Sequence, residues 1–191
     1  MNKFEEVKKE IEDILPSSPI SIDLRHAQAT LKWLLKIKPD ADEALKIAAL
    51  SHDIDRAVNK ITSEDRKQEQ SYEQFKKEHA LRSAKIICEI LQKYKYDDHF
   101  IGRVKYLVEH HEEGGGNDAD VLTDADSIAY FELEIPIYLK RNGKDRTISK
   151  IKFMYNRMTR GSKEILLSLS YEEDVKELIE VVINKKLKDK S

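Results

Sequence analysis

Histidines and aspartates recur along this chain at places where helices could bring them together. His52 and Asp53 are adjacent and close an apolar run. Further imidazole and carboxylate side chains precede and follow this pair, at His26, His79, His110, His111, Asp124 and Asp126. Mixed imidazole and carboxylate ligands suit manganese, iron, zinc, cobalt or nickel better than calcium. The sequence therefore predicts a site for a divalent transition metal.

The apolar residues around these histidines repeat with the period of an α-helix, so the imidazoles share the faces that pack inward. The face of His26 also carries Thr30, Trp33, Leu34 and Ile37, and that of His79 carries Ser83, Ile86, Ile87 and Ile90. One such histidine alone is ordinarily a hydrogen-bonded core residue. Several of them beside Asp53 favour a metal, because a buried carboxylate is costly to desolvate unless a cation compensates its charge.

The elements that must position these side chains are all predicted to be helices. The apolar period is that of a helix along most of the chain, and the six glycines and four prolines fall mostly between the periodic segments. The predicted helices run from Phe4 to Ile14, from Ile22 to Ile37, from a cap at Asp40 or Asp42 to His52, through an exposed segment 63–78 into an amphipathic helix 79–92, from Asp97 or Asp98 to His111, and from Thr123 onward, with two or three more before the C-terminus. We expect a single all-α domain over 191 residues.

The composition narrows the class of partner. The 34 basic and 36 acidic residues balance, which argues against nucleic acid or an acidic membrane as a partner. Cys88 is the sole cysteine, so internal disulfides and cysteine-ligated zinc are excluded. The N-terminus has no apolar leader, and no stretch reaches the roughly 18 apolar residues that a membrane span needs. We expect a cytoplasmic protein, and the sequence leaves its oligomeric state open.

The order of the candidate ligands is similar to that of a known family. His26, then the adjacent pair His52 and Asp53, then a later aspartate resembles the HD-domain superfamily of metal-dependent phosphohydrolases. The run from Ala44 to Ile54, ALKIAALSHDI, looks like the helix that leads into the HD pair of that family. The resemblance implies an HD-type helical bundle over about residues 20–135, with a C-terminal helical extension over about 136–191.

The resemblance also bears on the number of metal ions. Some members hold one ion with four ligands, and others hold two with extra histidines between the HD pair and the last aspartate. His79 and the pair His110 and His111 fall where those extra ligands lie, as in the binuclear cyclic-dinucleotide phosphodiesterases and the oxygenase branch. Adjacent helical residues point about 100° apart, which favours one coordinating histidine of the pair. Alternatively, both complement the dipole at a helix C-terminus.

The last aspartate of the pattern has two candidates. In the family it usually stands in an Ala-Asp-x-apolar context, which favours Asp126, with Asp124 as the alternate. Both could face inward on a helix. The competing interpretation is a capping box, in which Thr123 begins the helix and Asp126 reaches back to the Thr123 amide.

Arg56 is the feature that bears most on substrate. Nucleoside monophosphatases of the family often have glutamate three places after the HD aspartate, whereas the cyclic-dinucleotide enzymes have lysine there. Arg56 therefore resembles a phosphate-binding cation, with Arg25 as a second one, and a guanidinium suits two phosphate oxygens. The alternative is that Arg56 pairs with Asp55 or another neighbour on the surface. The Gly-Tyr-Pro signature of the cyclic-dinucleotide enzymes is absent, which argues against cyclic-di-GMP.

A basic stretch follows the family-like core. It contains Lys140, Arg141, Lys144, Arg146, Lys150, Lys152, Arg157, Arg160 and Lys163. The stretch could close over a phosphorylated substrate, with Arg157 contacting phosphate, or form a solvated face. Tyr130 lies one turn past Asp126, where family triphosphohydrolases have a tyrosine near the substrate, and its alternative role is that of a core residue.

These residues together predict a phosphohydrolase for a nucleotide or other small phosphorylated metabolite. The resemblance implies hydrolysis by a metal-activated water. Asp53 or a second metal ion would orient that water, and Arg56, Arg25 and Arg157 would bind phosphate oxygens. Two other functions remain open: a di-iron oxygenase on the same ligands, and a non-catalytic metal-holding domain that acts through partners.

Overall fold

The computed structural model describes residues 2–188 and is helical through most of that range. Its helices are α1 Lys3–Ile14, α2 Asp23–Ile37, α3 Glu43–Ser51, α4 Ile54–Asn59, α5 Tyr72–Lys93, α6 Asp98–Glu109, α7 Asn117–Leu133, α8 Ile135–Asn142, α9 Lys144–Arg157, α10 Arg160–Leu166 and α11 Glu173–Lys188. Short 3₁₀ turns lie at Leu15–Ser17 and Ser63–Asp65. No strand occurs in residues 2–188, so the all-α prediction is confirmed.

Side-chain caps fix where several helices begin. The Asn2 side chain accepts a hydrogen bond from the Glu5 amide at the start of α1. Asp42 and Asp97 cap α3 and α6 in the same way, by accepting from amides three residues later. An unsatisfied amide at a helix start is costly, so a carboxylate or amide oxygen at this position favours that start over its neighbours. The predicted caps at Asp42 and Asp97 are thus confirmed.

The prediction of a helical segment over 63–78 is wrong for its first half. Thr62 and Asp65 form a capping box around a single 3₁₀ turn. A second capping box, formed by Ser71 and Gln74, begins α5. Polar side chains that bond to nearby amides compete with helix formation, and here they divide the segment into a turn, a loop and the true helix start.

The chain forms two compact units, Met1–Asp126 and Ser127–Ser191. The boundary therefore lies within α7, earlier than the change near residue 136 that the sequence indicates. The second unit contains the helices α8 to α11, with α9 packed against α8 and α11. No helix in the described part of the chain has both the length and the apolar character that crossing a membrane requires.

Helix α3 is the central element of the first unit. Seven of its nine residues are buried, from Ala44 to Ser51 with the exception of Lys46. A helix that is apolar around its whole circumference must be covered on all sides, and α1, α2 and α6 pack against it. Because α3 runs through the core, the residues at its C-terminal end, His52 and Asp53, are also placed in the interior.

Candidate metal centre

The site is built around the break between α3 and α4. His52 is the C-terminal cap of α3, and Asp53 directly precedes α4 with φ −106° and ψ 11°. This backbone conformation separates α3, which ends at Ser51, from α4, which begins at Ile54. Both side chains are buried, with 1% of His52 and 6% of Asp53 exposed. The break thus brings an imidazole and a carboxylate into the core from adjacent positions.

Three further helices bring histidines to the same place. His26 comes from α2, His79 comes from α5, and His111 follows the end of α6; all three are buried. The ring centroids lie 5.2 Å apart for His26 and His52, 5.1 Å for His52 and His111, and 6.0 Å for His111 and His79. The four imidazoles therefore form one continuous cluster.

One side of this cluster contains His26, His52, Asp53 and Asp126. The Nε2 atoms of His26 and His52 are 3.1 Å apart, and Asp126 Oδ1 lies 3.1 Å from His26 Nε2 and 3.8 Å from His52 Nε2. Asp53 Oδ2 lies 3.6 Å from His52 Nε2 and 3.9 Å from His26 Nε2. We call these four residues the first metal position.

The other side contains His79 and His111, and it shares Asp53. Asp53 Oδ1 is 2.8 Å from His79 Nε2 and 4.0 Å from His111 Nε2. Within each of two groups, His26–His52–Asp53 and Asp53–His79–His111, the candidate ligand atoms lie within 4.8 Å of one another. We call the second group the second metal position. The two oxygens of one carboxylate thus face two different sets of imidazoles.

The opposite ring nitrogens are held by acceptors. His52 Nδ1 lies 3.0 Å from the Ala49 carbonyl oxygen, and His111 Nδ1 lies 2.7 Å from that of Val108. His79 Nδ1 lies 2.9 Å from Asp55 Oδ2. Carbonyl and carboxylate oxygens only accept, so Nδ1 is the donor in each case. This arrangement directs Nε2 of each ring towards the cluster, as in histidine-ligated metal sites.

The pKa values of Asp53 and His111 favour cation binding, whereas that of His79 favours its protonated form. Burial raises the pKa of Asp53, but Arg56, His52 and His79 outweigh burial and hold that pKa well below its usual range. Burial lowers the pKa of His111 to about 4, so this imidazole is neutral at pH 7 and its Nε2 lone pair is available. Burial also acts to lower the pKa of His79, but hydrogen bonds to Asp53 and Asp55 raise it overall.

The structure separates His110 from His111. Helix α6 ends at Glu109, so both histidines follow the helix rather than lie on it. His111 points into the cluster, whereas the His110 ring stacks on Tyr106 with centroids 4.1 Å apart and its Nδ1 lies 2.7 Å from the Tyr106 carbonyl oxygen. Of the two adjacent candidates, the structure brings His111 to the other ligands and leaves His110 outside.

Of the two candidates for the last aspartate of the pattern, Asp126 lies against His26 and His52. Asp124 is buried on the same helix, α7. The capping-box interpretation is wrong, because α7 begins at Asn117, six residues before Thr123. The Thr123 hydroxyl instead donates to the carbonyl oxygens of Ala119 and His111, at 3.0 and 2.9 Å.

The predicted substrate residues lie in different surroundings. Arg56 Nη1 lies 2.5 Å from Asp53 Oδ2 and 3.2 Å from Asp23 Oδ1. Arg56 thus pairs with neighbouring carboxylates, but with these buried ones rather than with Asp55, the partner named in the alternative to phosphate binding. Arg25 is exposed on α2. Two more belong to the second unit: Tyr130 is buried, and Arg157 Nε donates to Ser127 Oγ at 2.9 Å.

Sequence reasoning missed two buried aspartates beside the site. Asp23 is 2% exposed; it accepts hydrogen bonds from Ser18 Oγ at 2.5 Å and from Arg56, and burial raises its pKa. Asp55 is fully buried against His79 and Arg82. The contacts of Asp23 with Arg56 and of Asp55 with His79 join residues far apart in sequence. A histidine that ligates a metal generally needs a hydrogen-bond acceptor for its other ring nitrogen, and this was the available signal. That rule does not say which aspartate supplies the acceptor.

Comparison with known protein families gives a match. The model of a family described as Domain of unknown function (DUF4202) matches residues 5–179. No curated protein and no solved structure matches the chain. The match includes every residue of both metal positions.

Proposed function

The chain belongs to the DUF4202 family, and we propose that it is a metal-dependent phosphohydrolase of the HD type, acting on a nucleotide or another small phosphorylated metabolite. The observation that carries the proposal is the placement of Asp53, whose two oxygens face separate groups of buried imidazoles. A carboxylate in this place could contribute one oxygen to each of two metal positions.

The residues present fit a divalent transition metal. Both positions offer imidazole nitrogen and carboxylate oxygen, the combination that suits manganese, iron, cobalt, nickel or zinc. Asp53 and Asp126 are each 6% exposed, and burial of two carboxylates is costly without positive charge, which Arg56 gives to Asp53 and a metal ion would add. Acceptors on the far side of His52, His79 and His111 orient the rings for coordination.

In the proposed enzyme, a metal ion would supply an activated water and neutralise charge on the phosphate. Asp53 would contribute to both positions and would orient the attacking water. Arg56 is 24% exposed at its side chain and contacts the Asp53 carboxylate, so its guanidinium stands between the ligands and solvent. There it can transfer from Asp53 to the non-bridging oxygens of a phosphate, which two of its N–H groups can bind together.

The test joins metal analysis to a substrate screen. Purified protein is incubated with manganese, nickel, cobalt or iron, its metal content is measured, and hydrolysis is followed on a panel of nucleotides and phosphoesters. We expect His52→Ala and Asp53→Ala to lose metal and turnover while circular dichroism stays near normal. His110→Ala is the matched control, because this histidine adjoins the cluster without entering it. Full metal content and activity in the Asp53 variant would refute the site.

A second function is favoured by one observation. His79 and His111 both accompany Asp53, so the six-residue set that the di-iron oxygenase branch needs is present. Iron content together with substrate-dependent oxygen uptake would favour this oxygenase over the hydrolase. Retention of metal with neither hydrolysis nor oxygen uptake would favour the non-catalytic alternative.

A further inference from the structure

Asp55 is a buried carboxylate that the proposed reaction does not use. It lies on α4, two residues after Asp53, and none of its surface is exposed. Its Oδ2 accepts from His79 Nδ1 at 2.9 Å. Asp55 therefore lies directly behind a candidate ligand of the second metal position.

Other side chains hold Asp55 in place. Arg82 Nε lies 2.9 Å from Oδ1 and 3.0 Å from Oδ2, Arg82 Nη2 lies 2.9 Å from Oδ2, and Asn59 Nδ2 donates to Oδ1 at 2.7 Å. The Asp55 amide donates to Ser83 Oγ at 3.2 Å. The carboxylate thus joins α4 to α5 in a fixed orientation, with His79 as one of its donors.

His79 differs from its neighbours in the kind of acceptor that orients it. His52 and His111 donate to main-chain carbonyl oxygens, which remain when side chains change. His79 donates to a side chain, and a charged one. A carboxylate acceptor both fixes the ring and increases the basicity of the opposite nitrogen, and loss of such a partner commonly weakens metal binding about ten- to hundredfold.

We infer that Asp55 is a positioning residue that sets the affinity of the second metal position through His79, and so decides whether the centre holds one ion or two. The inference rests on the proposed function, since it requires a metal at this site. It assigns to Asp55 no contact with metal or substrate. Asp55 acts by holding the His79 ring so that Nε2 is directed at the second position, where a metal ion would displace the proton that Nε2 shares with Asp53 Oδ1.

The experiment is a manganese titration, with bound ion measured by spectroscopy of the free metal and by elemental analysis. Wild-type protein should bind two equivalents, and His79→Ala identifies the equivalent that belongs to the second position. Asp55→Asn replaces one acceptor oxygen with a donor, so the amide cannot serve His79, Arg82 and Asn59 together. We expect the dissociation constant of the second equivalent to rise about ten- to hundredfold, with the first unchanged.

Arg82→Gln is the matched control, because it removes one charge of the same buried pair but leaves the bond between Asp55 and His79. It should retain both affinities. If Asp55→Asn fails to fold because Arg82 is left without its counter-charge, the double variant with Arg82→Gln removes that cost and must show the same selective loss.

The outcomes separate the inference from the proposed function. Equal affinities in the Asp55 and Arg82 variants, or equal weakening of both positions, would overturn the role of Asp55. A wild type that saturates at one equivalent would also overturn it, while leaving a one-ion phosphohydrolase intact. A wild type that binds no manganese or other divalent ion would overturn both.

Discussion

Substitution of Arg56 is the sharpest test of whether the proposed centre binds a phosphate group. Its guanidinium lies against two buried aspartates, at 2.5 Å from Asp53 Oδ2 and 3.2 Å from Asp23 Oδ1. An arginine is always protonated and cannot ligate a metal. Arg56→Ala should therefore leave the metal content at the wild-type level, because Asp53 keeps its oxygens and loses a competing cation.

The catalytic effect of Arg56→Ala should be large. Removal of a charge-assisted hydrogen bond to a phosphate costs about 1.5 to 3 kcal/mol. If the bond is stronger in the transition state than in the bound substrate, this cost lowers kcat/KM about ten- to 150-fold. Arg56→Lys should recover part of the loss, since an ammonium restores the charge without the two-pronged geometry.

The assay is steady-state kinetics on the best phosphoester from the screen, with metal content measured on the same samples. Asp23→Asn is an informative companion, because it removes a partner of Arg56 without touching a histidine of the cluster. A kcat/KM of Arg56→Ala equal to that of the parent would show that the arginine only neutralises buried carboxylates. A fall in metal content that accounts for the loss of activity would show that it supports the ligands instead.

Two further predictions concern which histidine of the adjacent pair binds metal and how much an ion pair remote from the site contributes to stability. His111→Ala should lower the manganese content while His110→Ala leaves it unchanged, since in the described structure the His111 ring belongs to the cluster and the His110 ring does not. Equal losses of manganese in elemental analysis would contradict this assignment. Asp118 contacts Arg103 Nη2 at 2.6 Å, and the pairs with Arg103 and Lys38 outweigh burial and lower its pKa. A carboxyl group whose pKa is lowered in the folded state stabilises the fold at a pH above its unfolded-state pKa, and this stabilisation is lost as the pH falls through the folded-state pKa. Asp118→Asn should therefore lower Tm by up to about 3 °C at pH 7 and by less in acid. A difference in Tm that does not change with pH would argue against the ion pair.

The helices were predictable where local signals agree with the tertiary fold. The apolar stripes around His26 and His79 and the caps at Asp42 and Asp97 all depend on residues within a few turns of one another, and the structure has helices at those places. The helix prediction for segment 63–78 failed because two capping boxes, which are also local signals, were given less weight than the general helical composition.

The candidate site was predictable as a set of residue types but not as a geometry. The choice between His110 and His111 was argued from angles on a helix, yet α6 ends before both. Their directions are set by the turn that follows, where Gly114 has φ +75° and a Cβ at that position would meet Asp120. Such a turn places residues by conformations that side-chain periodicity does not encode.

The break between α3 and α4 explains how one dipeptide can serve two metal positions. On an uninterrupted helix, adjacent side chains point about 100° apart, so His52 and Asp53 could not both face one cluster. The Asp53 backbone leaves the helical range, with ψ at 11°, and α4 starts anew at Ile54. The carboxylate is thereby directed across the cluster, with Oδ2 towards His52 and Oδ1 towards His79. The same break places Asp55 and Arg56 in the first turn of α4, so that one short helix carries both the acceptor behind His79 and the cation beside Asp53.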